Sequence, residues 1–525
     1  MSQMKKSYLL ILCFGFTLTL LTAQEKVNDK INSIIKDQGL EKSKVMDYAF
    51  YLTDVYGPRL TGSDMTDQAV AWAVTELKKM GMQNVHTESW GPFGRGWELK
   101  HFEISNESPT YYPIIGYPKA WTGSTKGKVS GQVIYIDAST EAELAKYKGK
   151  LKGKIVLLDT LREVKEWFDA PGKRYEAEQL LEMANAPQPT PFGRGRFPRN
   201  FGASLAGNVW TLINDEQPLA VLDRSFKGDQ GTVFVSGARA IQGKRVQDND
   251  AIVIPQVTIA VEQYNRIFRQ LKAGIPVTVS LDLQTKYTNP DGMEYNIIAE
   301  IPGTDLKDEI VMFGAHFDSW HSATGATDNG AGSAVMIEAA RILLETIKES
   351  GIPPRRTLRL ALWTGEEQGL LGSRAYVNQH LVRRDTSNNI LEIKPEQAKI
   401  SAYYNLDNGT GKIRGVYMQG NDQVSQIFRS WLDAFKDLGA NTLTLQNTGG
   451  TDHLSFDGVG VPGFQFIQDE ISYMSKTHHS NMDNYDHLIA DDLKQAATII
   501  SSFIFHTAQR DEKIPRKEQP KPEVN

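Results

Sequence analysis

Five short polar segments in the second half of the sequence carry the residue types that hold metal ions and move protons. His316-Phe317-Asp318 ends an apolar run at 309–315, and Asp407 directly follows another at 399–406. Glu366-Glu367 comes after the run 357–363 and a Thr364-Gly365 step. Thr327-Asp328-Asn329-Gly330 precedes a helical pattern beginning near Gly332, and His478-His479-Ser480 lies far downstream. Two metal ions about 3.5–4 Å apart need one carboxylate whose oxygens reach both, with separate imidazole and carboxylate ligands for each. His316, Asp328, Glu367, Asp407 and His479 supply that set, and Glu366 is left over as a base for the attacking water. Alone, Asp328 reads as an acid at a helix N-terminus and Glu367 as a surface acid. Five segments, three of them just past strand ends, read as a site.

The elements that must position these residues are legible as alternating patterns. Runs at 296–301, 309–315, 357–363, 399–406 and 463–467 read as strands, and 332–344, 425–438 and 491–506 as helices. Such alternation predicts an α/β fold with a mostly parallel, mixed sheet flanked by helices, its strand C-termini opening onto one crevice. Upstream, 65–80 has apolar residues at helical spacing and a closing Gly81. The turn before it, Tyr56-Gly57-Pro58-Arg59-Leu60-Thr61-Gly62-Ser63, is rich in breakers, and Arg59 reads as a surface or capping charge. Across 109–285 the texture changes. Short β-rich runs at 132–136, 154–158, 232–235, 252–255 and 277–281 predict a separate module inserted between 24–108 and 286–510. Its stretch 186–200 reads as an exposed loop with solvated Arg194, Arg196 and Arg199, and 511–525 reads as a disordered tail.

Composition narrows the chemistry. At 525 residues the chain is long enough for two to four domains of about 100–200 residues each. Lys and Arg number 58 against 63 Asp and Glu, a net charge of −5 that argues against a nucleic-acid partner. The single cysteine, Cys13, excludes an internal disulfide framework and a thiolate metal site, so any metal must rest on His, Asp or Glu. Lys5-Lys6, the apolar run 8–21 and Thr22-Ala23-Gln24 predict a signal peptide at 1–23, and hence a secreted or periplasmic protein. An uncleaved N-terminal anchor is the alternative.

In this order, and in the forms His316-Phe317-Asp318-Ser319-Trp320 and Trp363-Thr364-Gly365-Glu366-Glu367-Gln368-Gly369, the segments resemble the M28 metallopeptidases, most closely the carboxypeptidase Q branch. The stretch from Gly57 to Ser63 fits the start of that family's catalytic domain. Lys152-Gly153-Lys154-Ile155-Val156-Leu157 resembles the signature of a protease-associated (PA) domain inserted in it. The resemblance implies two zinc ions per chain. His316 and Asp407 would hold one, Glu367 and His479 the other, and Asp328 would bridge them. Glu366 would be the general base that takes a proton from water and returns it to the leaving amine. Asp318 would orient His316. His478 would either stabilise the oxyanion or simply pack, and Asp452, in Gly450-Thr451-Asp452-His453, would shape the substrate pocket. Asn329 stands where relatives often carry a second Asp, and relatives often have a cis peptide after the bridging Asp.

The implied activity is exopeptidase or dipeptidase cleavage of short peptides. Carboxypeptidase and aminopeptidase directions are both open, and a homodimer is possible. Two other classes stand beside it, a non-catalytic member that kept the fold and a glutaminyl-cyclase-like acyltransferase using one zinc. The complete ligand set argues against the first, and the long chain with its insert against the second.

Overall fold

Strands covered on both faces write nearly continuous apolar runs, and the predicted runs form the centre of an eight-stranded mixed sheet. The structure, a computed structural model, describes residues 25–189, 202–241, 243–289, 291–518 and 520. The strands are β1 (Gln83–Trp90), β2 (Glu294–Ile301), β3 (Leu306–His316), β4 (Arg356–Trp363), β5 (Ile400–Asn405), β6 (Ile413–Tyr417), β7 (Thr442–Thr444) and β8 (Gly463–Gln468). Their order is β1-β2-β4-β3-β5-β8-β6-β7. The inner four, β4, β3, β5 and β8, run parallel, while β1, β2 and β6 introduce antiparallel pairings toward the edges.

Period-two alternation divides the strands between two cores. Val311, Phe313 and Ala315 of β3 and Leu358, Leu360 and Leu362 of β4 face the core shared with α1 (Asp64–Met80), α2 (Ala331–Ser350) and α3 (Ala490–Gln509). Met312, Ala361, Trp363 and Tyr403 face the other, against Tyr376 and Phe456. Helix α1 begins at Ser63, whose hydroxyl accepts from Thr66 N, and ends at Gly81 with φ 101°, a left-handed cap. Because the inner strands are parallel, their C-termini meet at one edge. His316 is the last residue of β3 and lies opposite Trp363, the last of β4.

The second sheet is also eight-stranded. Its two longest strands, Gly96–Ser108 and Thr278–Thr288, pair antiparallel along most of their length. This long-range pairing joins 96–108 to the same sheet as strands from the segment 109–285. The segment 109–285 also includes helices Ala177–Ala184, Gly202–Glu216 and Val261–Lys272. The β-rich runs 232–235 and 252–255 form no strand of the sheet. Phe234 instead makes an isolated bridge to Ser480, across the junction with the main domain.

The expected disorder of 511–525 does not hold for its first part. Ile514 is buried, and the Arg516 guanidinium donates to the carbonyls of Gln397 and Ile400. A lone apolar residue has no period to read, so only tertiary packing reveals it. The expected signal peptide and the three loop arginines lie outside the described residues. Among the described residues, no helix is long and apolar enough to cross a membrane.

Candidate active site

All five predicted ligand residues converge at the C-terminal edge of the inner strands. The His316 Nδ1–H donates to the Asp318 carbonyl at 3.0 Å, which turns Nε2 into the crevice. That nitrogen lies 3.4 Å from Asp328 Oδ1 and 3.4 Å from Asp407 Oδ1. On the other side, His479 Nε2 lies 3.2 Å from Asp328 Oδ2 and 2.9 Å from Glu367 Oε2. Asp328 thus presents one oxygen to each imidazole. Glu366 stands beside the first group, with Oε2 4.0 Å from His316 Nε2. His478 stacks on His479 at 3.7 Å between ring centroids, with its Nε2 3.9 Å from Asp328 Oδ2.

Asp318 ties the segments together. Its carboxylate accepts from Thr61 Oγ1 at 2.8 Å and from the backbone N–H groups of Glu366 and Glu367 at 3.2 and 3.3 Å. It therefore sets the turn that presents both glutamates as well as standing beside His316. Asn329 also has a fixed task. Its side chain donates to Leu406 O and accepts from Gly332 N, locking the Asp328 loop to the segment that ends in Asp407. The Asp328–Asn329 peptide is cis.

Three supporting residues escape the sequence reading. Arg59, expected at the surface, is 0% exposed. Its guanidinium donates to the carbonyls of Phe317, Leu52, Thr324 and Gly325, bracing the loops that follow His316 and precede Asp328. Asp483 accepts from Thr327 N, Thr327 Oγ1 and Asp328 N. Tyr473 Oη donates to Asp328 Oδ1 at 2.9 Å. No local motif marks these residues. Their partners are mostly backbone groups or residues far away in the chain.

The electrostatics fit a cation-binding centre. Burial raises the Glu366 carboxyl well above the ordinary range, with Asp407, Asp452 and Glu367 adding repulsion against the opposing pull of His316. Burial and Asp328 push Glu367 up to about 7, and burial pushes Asp452 up to about 7. Burial works against a charged His479, yet Glu367 and Asp328 raise it to about 11. Several buried atoms make no hydrogen bond: His316 Nε2, Asp328 Oδ2, Glu367 Oε1, Asp407 Oδ1 and both oxygens of Asp452. Buried polar atoms are normally satisfied, so this concentration of orphaned donors and acceptors needs an explanation. Borderline imidazole nitrogens converging with carboxylate oxygens around surplus buried negative charge suit divalent zinc. Two such groups can be drawn around Asp328, one with His316 and Asp407 and one with His478 and His479.

Other singled-out residues fall outside the cluster. His453 is buried and accepts from Gln419 Nε2 at 2.8 Å, and burial lowers it to about 4. His321 faces the Pro118 carbonyl, and His380 pairs with Glu88. The segment around 233–235 does reach the site: Val235 N donates to His479 O, and Asn481 N to Val233 O.

Comparison with known proteins agrees with this geometry. Residues 296–504, which contain every predicted ligand, match Peptidase family M28. Carboxypeptidase Q of Mus musculus is 27% identical over 472 residues, covering 89% of this chain and 86% of that protein. Aminopeptidase YwaD of Bacillus subtilis is 29% identical over 267 residues, 50% of this chain and 53% of that one. The crystal structure of the Peptidase M28 precursor from Shewanella amazonensis SB2B superposes with a TM-score of 0.65 at 24% identity, covering 94% of this chain and 99% of that one. Over residues 296–504, the stretch that holds the cluster at the strand ends, the chain is similar to Peptidase family M28.

Proposed function

We propose that the protein is a co-catalytic di-zinc exopeptidase that hydrolyses terminal bonds of short peptides or dipeptides. The observation that carries this reading is Asp328, with one oxygen facing His316 and Asp407 and the other facing His479. His316 and Asp407 would hold one zinc, Glu367 and His479 the other, with Asp328 shared. Zinc held there would supply Lewis acidity, polarising a scissile carbonyl and lowering the pKa of water toward neutrality. Glu366 is the general base. Its carboxylate takes a proton from the attacking water and delivers it to the amine as the C–N bond breaks. Asp318 holds the Glu366 turn, so the base meets the bond at a set distance. His478, stacked on His479, would donate to the developing oxyanion.

The likeness to Carboxypeptidase Q favours cleavage of free dipeptides, and the likeness to Aminopeptidase YwaD supports a second reading, release of N-terminal residues. The insert is read as a PA domain that lids the crevice, and the N-terminal apolar run as a cleaved signal leading to secretion or the periplasm. Metal analysis combined with hydrolysis of one dipeptide, free, N-acetylated and C-amidated, tests the reading. Two zinc ions and loss of rate with both caps are expected of a dipeptidase. Loss with N-acetylation alone marks an aminopeptidase. Efficient cleavage of a doubly capped peptide excludes an exopeptidase.

A further inference from the structure

The inserted module carries a cation to the rim of the metal cluster, and the mechanism above does not use it. Lys227 lies between Ser225, whose hydroxyl donates to the Lys227 carbonyl and accepts from Phe234 N, and the loop that pairs with the main domain. Its side chain crosses the junction. Nζ donates to the Met474 carbonyl at 2.7 Å and lies 4.2 Å from the centroid of the Phe234 ring. Both contacts belong to the active-site neighbourhood. Phe234 bridges to Ser480, next to His479. Met474 sits in the turn Tyr473–Thr477, whose Tyr473 ring meets the His478 ring at 4.9 Å.

An ammonium has three N–H donors. Among the described residues, the Met474 carbonyl is the one hydrogen-bond acceptor that Lys227 Nζ contacts. Aromatic faces hold a cation in place without using its hydrogen-bond capacity. Beside it, Phe226 and Met474 expose apolar surface, 65% and 49% respectively. A braced ammonium with spare donors and an apolar rim, next to a peptide-cleaving centre, has the form of a carboxylate anchor.

We infer that Lys227 binds the C-terminal carboxylate of the substrate, with Phe226 and Met474 receiving the C-terminal side chain, and so confines cleavage to peptides whose C-terminus lies one residue past the scissile bond. This rests on the peptidase reading above and deepens it, because it names the group that sets direction. A terminal carboxylate and an acidic side chain share this chemistry, and we commit to the terminus.

The test uses the zinc-loaded full chain, in wild-type form and as Lys227→Met and Lys227→Arg, with Ala-Leu, Ala-Leu-amide and Ala-Glu-amide as substrates. Binding of free leucine is measured alongside by calorimetry. A hydrogen bond to a charged group is worth about 10–100-fold. The wild type should therefore prefer Ala-Leu to its amide, and Lys227→Met should lower that kcat/KM ratio by about this factor. Leucine binding should weaken in parallel, and Lys227→Arg should restore most of both. An unchanged ratio in Lys227→Met, at normal zinc content, overturns the assignment. Selective loss of Ala-Glu-amide cleavage in Lys227→Met overturns the terminal carboxylate in favour of a side-chain acid. If the wild type cleaves none of the three, the peptidase reading fails, whereas Lys227-dependent leucine binding would still uphold the anchor.

Discussion

His316 and His479 both face Asp328, yet they are held by different means. His316 ends an inner strand of the sheet, its side chain is 1% exposed, and its ring is fixed by the Asp318 carbonyl. His479 sits in a loop with φ 62°, in the left-handed region, and its side chain is 30% exposed. Its backbone is held from outside the main domain, by Val235 of the insert. One half of the cluster is thus built by the sheet, and the other is completed by a segment, around Val235, that comes far earlier in the chain. The difference suggests unequal metal sites. A site whose ligands are prepositioned costs little to assemble, whereas one that depends on a junction must hold that junction too. On chelator titration the ion at Glu367 and His479 is expected to leave first, which metal analysis of partly stripped protein checks. Simultaneous release of both ions would erase the distinction.

The largest effect expected breaks the chemistry and leaves both halves intact. Glu366→Gln keeps the shape but cannot accept the proton, so the rate should fall by about 10²–10⁴-fold with metal content near normal. Glu367→Gln should lose metal as well as rate. Equal metal loss in the two variants would mean that their roles are exchanged.

Arg59 tests the half built by the sheet. Arg59→Met leaves buried carbonyls of Phe317, Leu52 and Gly325 without their donor. Each such loss costs about 1–3 kcal/mol, so a total destabilisation of about 3–9 kcal/mol is expected in denaturant unfolding. A surface charge, as the sequence suggests for Arg59, would give less than about 0.5 kcal/mol.

The junction between the two regions carries its own pH signature. Glu294 starts β2, where the chain returns from the insert, and accepts from Asn289 Nδ2 at 2.8 Å. Burial, with Asp67 and Asp318 adding to it, pushes its carboxyl up to about 8. Between its ordinary value and that raised one, the folded chain keeps a proton that the unfolded chain has lost. This group therefore lowers stability as pH rises through that window, by up to about 1.4 kcal/mol per pH unit. Glu294→Gln should flatten the fall in thermal midpoint between pH 5 and pH 7, and an unaltered profile would refute the buried-acid origin.

The smallest effect expected tests the half completed by the insert. Asn481 accepts from Val233 N and donates to Gly231 O. Asn481→Ala should weaken the ion at His479 by about 10-fold, the lower end for a supporting contact, while leaving the ion at His316 unchanged. Calorimetric zinc titration separates the two, and equal weakening would show that the halves are not independent.

The scaffold, and the polar residues gathered at its strand ends, were largely legible in the sequence, because both are local properties. An apolar run of strand length announces β3, β4 or β5, and the polar residue after it announces what the strand end presents, as with His316 and Asp407. Helix α1 announced its own end at Gly81. What tertiary structure alone decided is how those ends are held. Arg59 bonds the carbonyl of Phe317, 258 residues away, and a carbonyl has no residue type by which to recognise it. The same reason hid the contact of Val235 with His479 O, the pairing of 96–108 with 278–288 and the burial of Ile514. Residue type and spacing record what a side chain can do, whereas backbone partners brought together from distant parts of the chain depend on where the folded elements finally meet.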